Sequence, residues 1–200
     1  VFHEGQLPEP MRMSEVRPGV FCGEKINPIP SVACYVPRGK GSFPSVALMT
    51  TIPAVVAGVP TICILTPPGT DGRVDDATLV AARQAGVEAI YKCGGAQAVA
   101  AAAYGTATIP KFDKIVGPGS PWVVAAKRLL ADEIDPGTPA GPSESIVFAD
   151  QTADGRLAAL DLIIESEHGP DSSAFLVTNS MEVADRAMEA IPNYWQSLGE

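Results

Sequence analysis

Thr61-Ile-Cys-Ile-Leu65 is an unbroken apolar run closed by Pro67-Pro68. Asp75–Ala85 follows with helical spacing, and Ala89-Ile-Tyr-Lys92 is a second short apolar run. Asp75 and Asp76 suit the first turn of that helix, and Gly86 suits its C-terminal cap. Apolar runs that do not alternate with polar residues belong to strands buried on both faces, as in parallel sheets. The stretch therefore reads β-α-β, and the same unit recurs on either side. Before it stand a strand over Ser31–Val36 and a helix over Pro44–Ala57, with Pro53 as a kink point. After it come a helix over Ala96–Tyr104, a strand over Lys114–Val116 and a helix over Pro121–Ala131. Then follow Ser145–Ala149 (strand), Arg156–His168 (helix), Ser173–Thr178 (strand) and Met181–Ile191 (helix). Six strand-helix alternations predict an α/β fold: a doubly wound, mostly parallel, Rossmann-like sheet with right-handed crossovers. Ligands of such sheets bind at the carboxyl ends of strands.

Val1–Pro30 is different. It carries Pro8, Pro10, Pro18, Pro28 and Pro30 without a clear period, and is predicted to be an extended arm lacking regular structure over much of its length. Residues 31–200 are then the α/β domain that carries the sites. The sequence opens on Val1 with neither initiator Met nor signal peptide and stops just after an amphipathic segment, so the expectation is a fragment of a longer, two-lobed chain.

With 200 residues, 46% hydrophobic and 18% charged, the chain has material for a large core. Aromatics at 6% are too few for base-stacking surfaces. A net charge of −9 argues against nucleic acid or an anionic membrane as the main partner. Even Val46–Val59 is broken by Thr50, Thr51 and Pro53, so no membrane span is expected. Cys22, Cys34, Cys63 and Cys93 form no Cys-x-x-Cys pair and read as reduced thiols of a cytoplasmic protein, the last three in strand-like runs.

Five segments carry candidate chemistry. Tyr35-Val-Pro-Arg38-Gly-Lys40-Gly-Ser42 is either a tight turn or a phosphate cradle with two basic side chains. Lys92-Cys-Gly94-Gly95-Ala-Gln97 passes from strand to helix, and places Gln97 in a first helical turn, either on the surface or facing a cofactor. In Gly117-Pro-Gly119-Ser120-Pro121-Trp122, Ser120 is a good N-cap before Pro, and its hydroxyl is also a ligand donor. Ala140-Gly-Pro-Ser143-Glu144 is a polar turn. With no Gly-x-Ser-x-Gly elbow, Ser143 reads as a substrate contact rather than a nucleophile. Glu165 and His168, three apart, share one helix face. They are either a surface pair or two ligands of one divalent metal, zinc above all. Two ligands are too few for catalytic zinc, and the only other histidine is His3 in the arm.

These segments, in this order, resemble histidinol dehydrogenases. The match runs from about Pro18 to Thr178 and is densest in Ile134-Asp135, Ala140-Gly-Pro-Ser-Glu144, Asp161-Leu and Glu167-His168-Gly-Pro-Asp171-Ser172, with Ala126-Lys127-Arg128 after Gly117-Pro-Gly119. The resemblance implies a homodimer with a shared active site, and a zinc- and NAD-dependent oxidation of a primary alcohol through an aldehyde to a carboxylate. It implies that Tyr35, Gln97 and Ser120 contact NAD, that Ser143, Glu165 and His168 contact the substrate, and that Glu165 and His168 bind the metal. The family's catalytic Glu-His pair and its remaining zinc ligands, an Asp and a His, then lie beyond residue 200. Four departures stand out. The family's Asn is Ser120, its zinc Gln is Glu165, its Tyr-Ile-Pro-Gly-Gly is Tyr35-Val-Pro-Arg38-Gly39, and the spacer before Ala140 is two residues longer. They point to a paralogue acting on an anionic diol such as 2,3-dihydroxypropane-1-sulfonate. The alternatives are a true histidinol dehydrogenase and, from another class, a non-catalytic α/β ligand- or metal-binding domain.

Overall fold

A computed structural model describes residues 1–38, 41–138, 140, 143–169 and 171–198. The chain groups into two units, 1–141 and 142–200.

In the first unit, after a short 3-10 turn at Glu4–Gln6, strands β1 (Met11–Arg17) and β2 (Val20–Lys25) form an antiparallel hairpin. The expected irregular arm is thus corrected. Its prolines flank the two strands rather than interrupt them, and Pro18-Gly19 makes the turn, Gly19 adopting φ +76°. Every residue of both strands is exposed, so burial gave no apolar pattern to read.

The rest of this unit alternates as the sequence implies: β3 (Ser31–Tyr35), α1 (Pro44–Val56), β4 (Thr61–Thr66), α2 (Asp76–Gln84), β5 (Ala89–Lys92), α3 (Gly95–Tyr104), β6 (Lys114–Val116) and α4 (Pro121–Leu129). The four strands are parallel, in the order β5-β4-β3-β6. Chain order runs outward from β3 through β4 to β5, then returns to the other side of β3. The sheet is doubly wound, and its switch point lies between β3 and β6.

Strand β3 is buried throughout, and its side chains divide between two cores. Ala33 and Tyr35 join Cys63 and Leu65 beneath α3 and α4, together with Ile115 and Val123. Val32 and Cys34 join Ile64 beneath α1 and α2, together with Ala47 and Ala82. Period-2 alternation on two covered faces explains why these strands read as continuously apolar. Burial pushes the Cys34 thiol up to about 11, and pushes Cys63 up as well. All four cysteines are free, with Cys34 and Cys63 buried and Cys22 exposed.

The second unit comprises β7 (Glu144–Ala149), α5 (Gly155–Ser166), β8 (Ser173–Thr178) and α6 (Met181–Leu198), with β7 and β8 paired in parallel. All six alternations form, but they are shared between a four-stranded and a two-stranded sheet. Helix α6 runs past the expected end at Ile191 because it accommodates Pro192. Its small core is Ala159, Ala187 and Ala190 with Leu176 and Tyr194. Among the described residues no helix is long and apolar enough to cross a membrane.

Ile115 is fully buried beneath α3 and α4. Truncation there leaves a cavity under the switch point. Ile115→Ala is expected to destabilise the protein by about 3 kcal/mol, read from the midpoint of chemical unfolding. A change within error would show that this core is not packed as described.

Candidate functional site

Because β3 to β6 are parallel, their carboxyl ends lie at one edge. That edge carries Tyr35 on β3, Pro67-Pro68 after β4, Gly94-Gly95 after β5 and Gly117–Ser120 after β6. Tyr35, Gln97 and Ser120 therefore belong to the same edge although 85 residues separate the first from the last. Tyr35 and Ser120 flank the switch point, where doubly wound sheets open a crevice for ligands.

Hydrogen bonding ties this edge together. The Gly95 N–H donates to the Tyr35 hydroxyl at 2.9 Å, so the phenol reaches from the central strand to the loop beyond β5. The phenol oxygen accepts there and keeps its own proton to donate. Burial raises the Tyr35 pKa, the Gly95 N–H pulls it down, and the neighbouring Cys93 adds a smaller upward push. Gly95 sits at φ +69°, and a Cβ there would lie 2.8 Å from Oε1 of Gln97, whose side chain folds back over it. Gly117 has φ +106°, and a Cβ there would come within van der Waals overlap of the Tyr35 carbonyl oxygen. Only glycine lets the loop after β6 lie against the end of β3.

Ser120 holds the N-cap position of α4, followed by Pro121, yet its side chain makes no capping hydrogen bond. The expected cap is therefore one of position only, and the exposed hydroxyl is available to a ligand. The Gly117 carbonyl accepts from the ammonium of Lys127 at 2.8 Å, a contact that spacing along the chain did not signal.

Arg38 is less free than the phosphate-cradle reading requires. Its guanidinium donates to the Arg73 carbonyl at 2.6 Å and is near the carboxylates of Asp71 and Asp75. Ser42 donates to Asp75 at 2.7 Å, and that bond is the chief cause holding the Asp75 carboxyl below its ordinary range. Arg38, Ser42, Pro67, Gly69 and Asp75 line an open groove of about 430 Å³. The guanidinium is held against the 67–75 loop through the Arg73 carbonyl. Gly39 and Lys40 lie outside the described residues.

In the second unit, Ser143 directly precedes β7 and donates to Oε1 of Glu165 at 2.7 Å. Glu165 is in the last turn of α5. His168 lies in the turn beyond the helix, where its Nδ1 is 3.2 Å from the Glu165 carbonyl oxygen. The shared helix face is thus corrected to a helix end plus turn, because α5 stops at Ser166. These groups stand at the amino ends of β7 and β8, not at their carboxyl ends. Among the described residues no three His, Cys, Asp or Glu side chains gather as a metal cage. An oxygen donor from Glu165 and a ring nitrogen from His168 nevertheless fit zinc by type. They supply two ligands of a set that needs more.

A family model described as histidinol dehydrogenase matches residues 1–200. A histidinol dehydrogenase homolog of Colwellia psychrerythraea is 67% identical over 98% of this chain and 44% of its own length. A homolog from Cereibacter sphaeroides is 70% identical over 98% of this chain and 45% of its own. A histidinol dehydrogenase of Synechocystis is 57% identical over 98% and 45%. The crystal structure of histidinol dehydrogenase from Elizabethkingia anophelis matches with a TM-score of 0.91 at 38% identity, covering 99% of this chain and 46% of that one. The chain spans less than half the length of these relatives.

The raised phenol pKa has a pH signature. Above about pH 10 the unfolded chain releases the Tyr35 proton before the folded one does, so stability falls as pH rises. Tyr35→Phe removes that dependence while losing about 1 kcal/mol at neutral pH from the orphaned Gly95 N–H. Chemical unfolding between pH 8 and 11 should show a shallower alkaline loss in the variant. Equal slopes would contradict the buried phenol.

Proposed function

The chain belongs to the histidinol dehydrogenase family, and we propose that it carries the NAD-binding and part of the zinc-binding apparatus of an alcohol dehydrogenase. The observation that carries this reading is the edge where the Tyr35 hydroxyl bridges to Gly95 beside the switch point. Tyr35 donates its phenol proton to NAD, Gln97 offers amide donor and acceptor, and Ser120 offers its uncapped hydroxyl. NAD, when bound, supplies the hydride acceptor.

Ser143, Glu165 and His168 contact the substrate's hydroxyl end, and Glu165 and His168 hold zinc. Zinc, when bound, supplies a Lewis acid for the substrate oxygen. The Ser143 hydroxyl fixes one oxygen of the Glu165 carboxylate and leaves the other for the metal. His168 keeps Nε2 for the same purpose while Nδ1 meets the helix end. The other ligands and the Glu-His pair that moves protons belong to the rest of the protein, outside these residues, in a cytoplasmic homodimer with a shared site. The overall reaction takes a primary alcohol, one water and two NAD to a carboxylate, two NADH and three protons.

For the substrate we favour a paralogue's anionic diol, of the 2,3-dihydroxypropane-1-sulfonate class. The relatives compared at 65–70% identity bear the name homolog, whereas those at 46–57% are plain histidinol dehydrogenases. Ser120 and Glu165, standing where the resemblance implies Asn and Gln, favour a paralogue as well. Arg38 does not add to it, because its guanidinium is engaged with the Arg73 carbonyl. Histidinol itself is the competing substrate, supported by the 57% identity to the Synechocystis enzyme. Initial rates of the complete protein with the two alcohols decide between them. NADH formation with neither, together with no NAD binding, would leave only a non-catalytic binding domain.

His168→Ala is expected to lower zinc content and cut kcat/KM by about 100-fold or more, since even outer-shell changes lose 10–100-fold. Glu165→Gln restores the usual family ligand and should keep the metal while shifting the preference between the two alcohols. Full activity and unchanged zinc in His168→Ala would refute the ligand assignment.

A further inference from the structure

Lys127 is 5% exposed, yet it is a cation with no carboxylate at ion-pair distance among the described residues. Among the described residues its one polar partner is the Gly117 carbonyl at 2.8 Å. The charge that acts on it is the like charge of Lys114, which is itself paired with Asp135 at 2.6 Å. Burial and that neighbour both lower the Lys127 pKa. A buried ammonium with one neutral acceptor is an expensive way to fill a core position. An apolar side chain of the same volume is usually neutral or stabilising there.

What the ammonium does hold is specific. Gly117 is the first residue after β6, its backbone is pressed against the Tyr35 carbonyl, and three residues later the same loop presents Ser120. One bond from the body of α4 therefore fixes the loop that connects β6 to the start of α4. The same cation sets a positive charge beside the loop that follows β6, across the switch point from β3.

We propose that Lys127 is a positioning residue of the NAD crevice, holding Gly117–Ser120 in its binding-ready conformation through the Gly117 carbonyl. The proposal rests on the assignment of NAD to this edge. It makes dinucleotide affinity, rather than chain stability or alcohol binding, the quantity that depends on Lys127.

The experiment uses the complete protein that contains this chain, with NAD titrated by calorimetry and initial rates measured against NAD and against the alcohol. Lys127→Met keeps the volume and removes the charge and the donor. It should raise the NAD dissociation constant about tenfold or more, the worth of one charge-assisted hydrogen bond. The KM for alcohol should stay the same, and the unfolding midpoint should stay the same or rise. Lys127→Gln retains a donor without charge and should recover part of the affinity. It also serves as the deciding variant if the Met form does not fold. Unchanged NAD affinity in the folded variant, or a loss that follows falling stability, overturns the proposal. Ser120→Ala and Tyr35→Phe, measured alongside, separate the two ideas. If they weaken NAD binding and the Lys127 variants do not, only the role of Lys127 fails. If none of the four alters NAD binding, the crevice assignment fails with it.

Discussion

The phenol of Tyr35 starts on the most buried strand and ends on the backbone of another strand's loop, where it accepts the Gly95 N–H at 2.9 Å. On the opposite side, the Tyr35 carbonyl is met by Gly117 at a separation that excludes any side chain. One residue thus sets the spacing of the loops after β5 and β6 from the end of β3. Gln97 in the first turn of α3 and Ser120 at the start of α4 follow directly from those loops. Their common placement depends on this contact and on the parallel order of the strands. Burial of both faces of β3 keeps the anchor itself still, since its neighbours on either side are packed in separate cores.

Charge is distributed around that anchor in two ways. On the 67–75 side the Arg38 guanidinium donates to the Arg73 carbonyl at 2.6 Å in the field of Asp71 and Asp75, and Lys92 donates to the Gly72 carbonyl at 3.1 Å, so the loop is bound to its own surroundings. On the β6 side the buried cation of Lys127 has no carboxylate at ion-pair distance among the described residues. A positive charge that stays uncompensated beside an edge of backbone N–H groups favours an anion, and a dinucleotide brings two phosphates.

Strands β3 to β6 were legible because burial on two faces leaves unbroken apolar runs. Helix α2 was legible from its acidic start and Gly86, although Asp75 is its N-cap, accepting from the Thr78 N–H, rather than a first-turn residue. The hairpin was not, since exposed strands carry no burial pattern and the prolines around Pro18-Gly19 resembled an irregular arm. Division of the strands between two sheets also left no local trace, because β7 and β8 have the same apolar character as the others. For the site, the order of motifs singled out Tyr35, Gln97, Ser120, Ser143, Glu165 and His168 as candidates. The bonds that orient them were beyond reach. Tyr35 and Gly95 are 60 residues apart and Ser143 and Glu165 are 22 apart, and no periodicity relates such pairs. Lys127 was visible only as one letter of Ala126-Lys127-Arg128, because a lysine on a helix is normally exposed.

The two units place their polar groups at opposite ends of their strands, and helix electrostatics gives that difference a meaning. Helices that follow parallel strands begin at the carboxyl edge, so the edge bearing Tyr35, Gln97 and Ser120 faces the amino ends of α3 and α4, with partial positive charge. Helix α5 finishes at the amino edge of β7 and β8, so Glu165 and His168 sit at a carboxyl end with partial negative charge. The first arrangement suits an anionic dinucleotide. The second suits a cation, and the carboxylate of Glu165 strengthens it in the same sense. A glutamate here adds its charge to carbonyls already pointing the same way, which disfavours the site without a cation and favours it with one. The Ser143 hydroxyl offsets part of that repulsion by donating to the carboxylate at 2.7 Å. Ser143 thus makes a carboxylate at this helix end tolerable by donating to one of its oxygens.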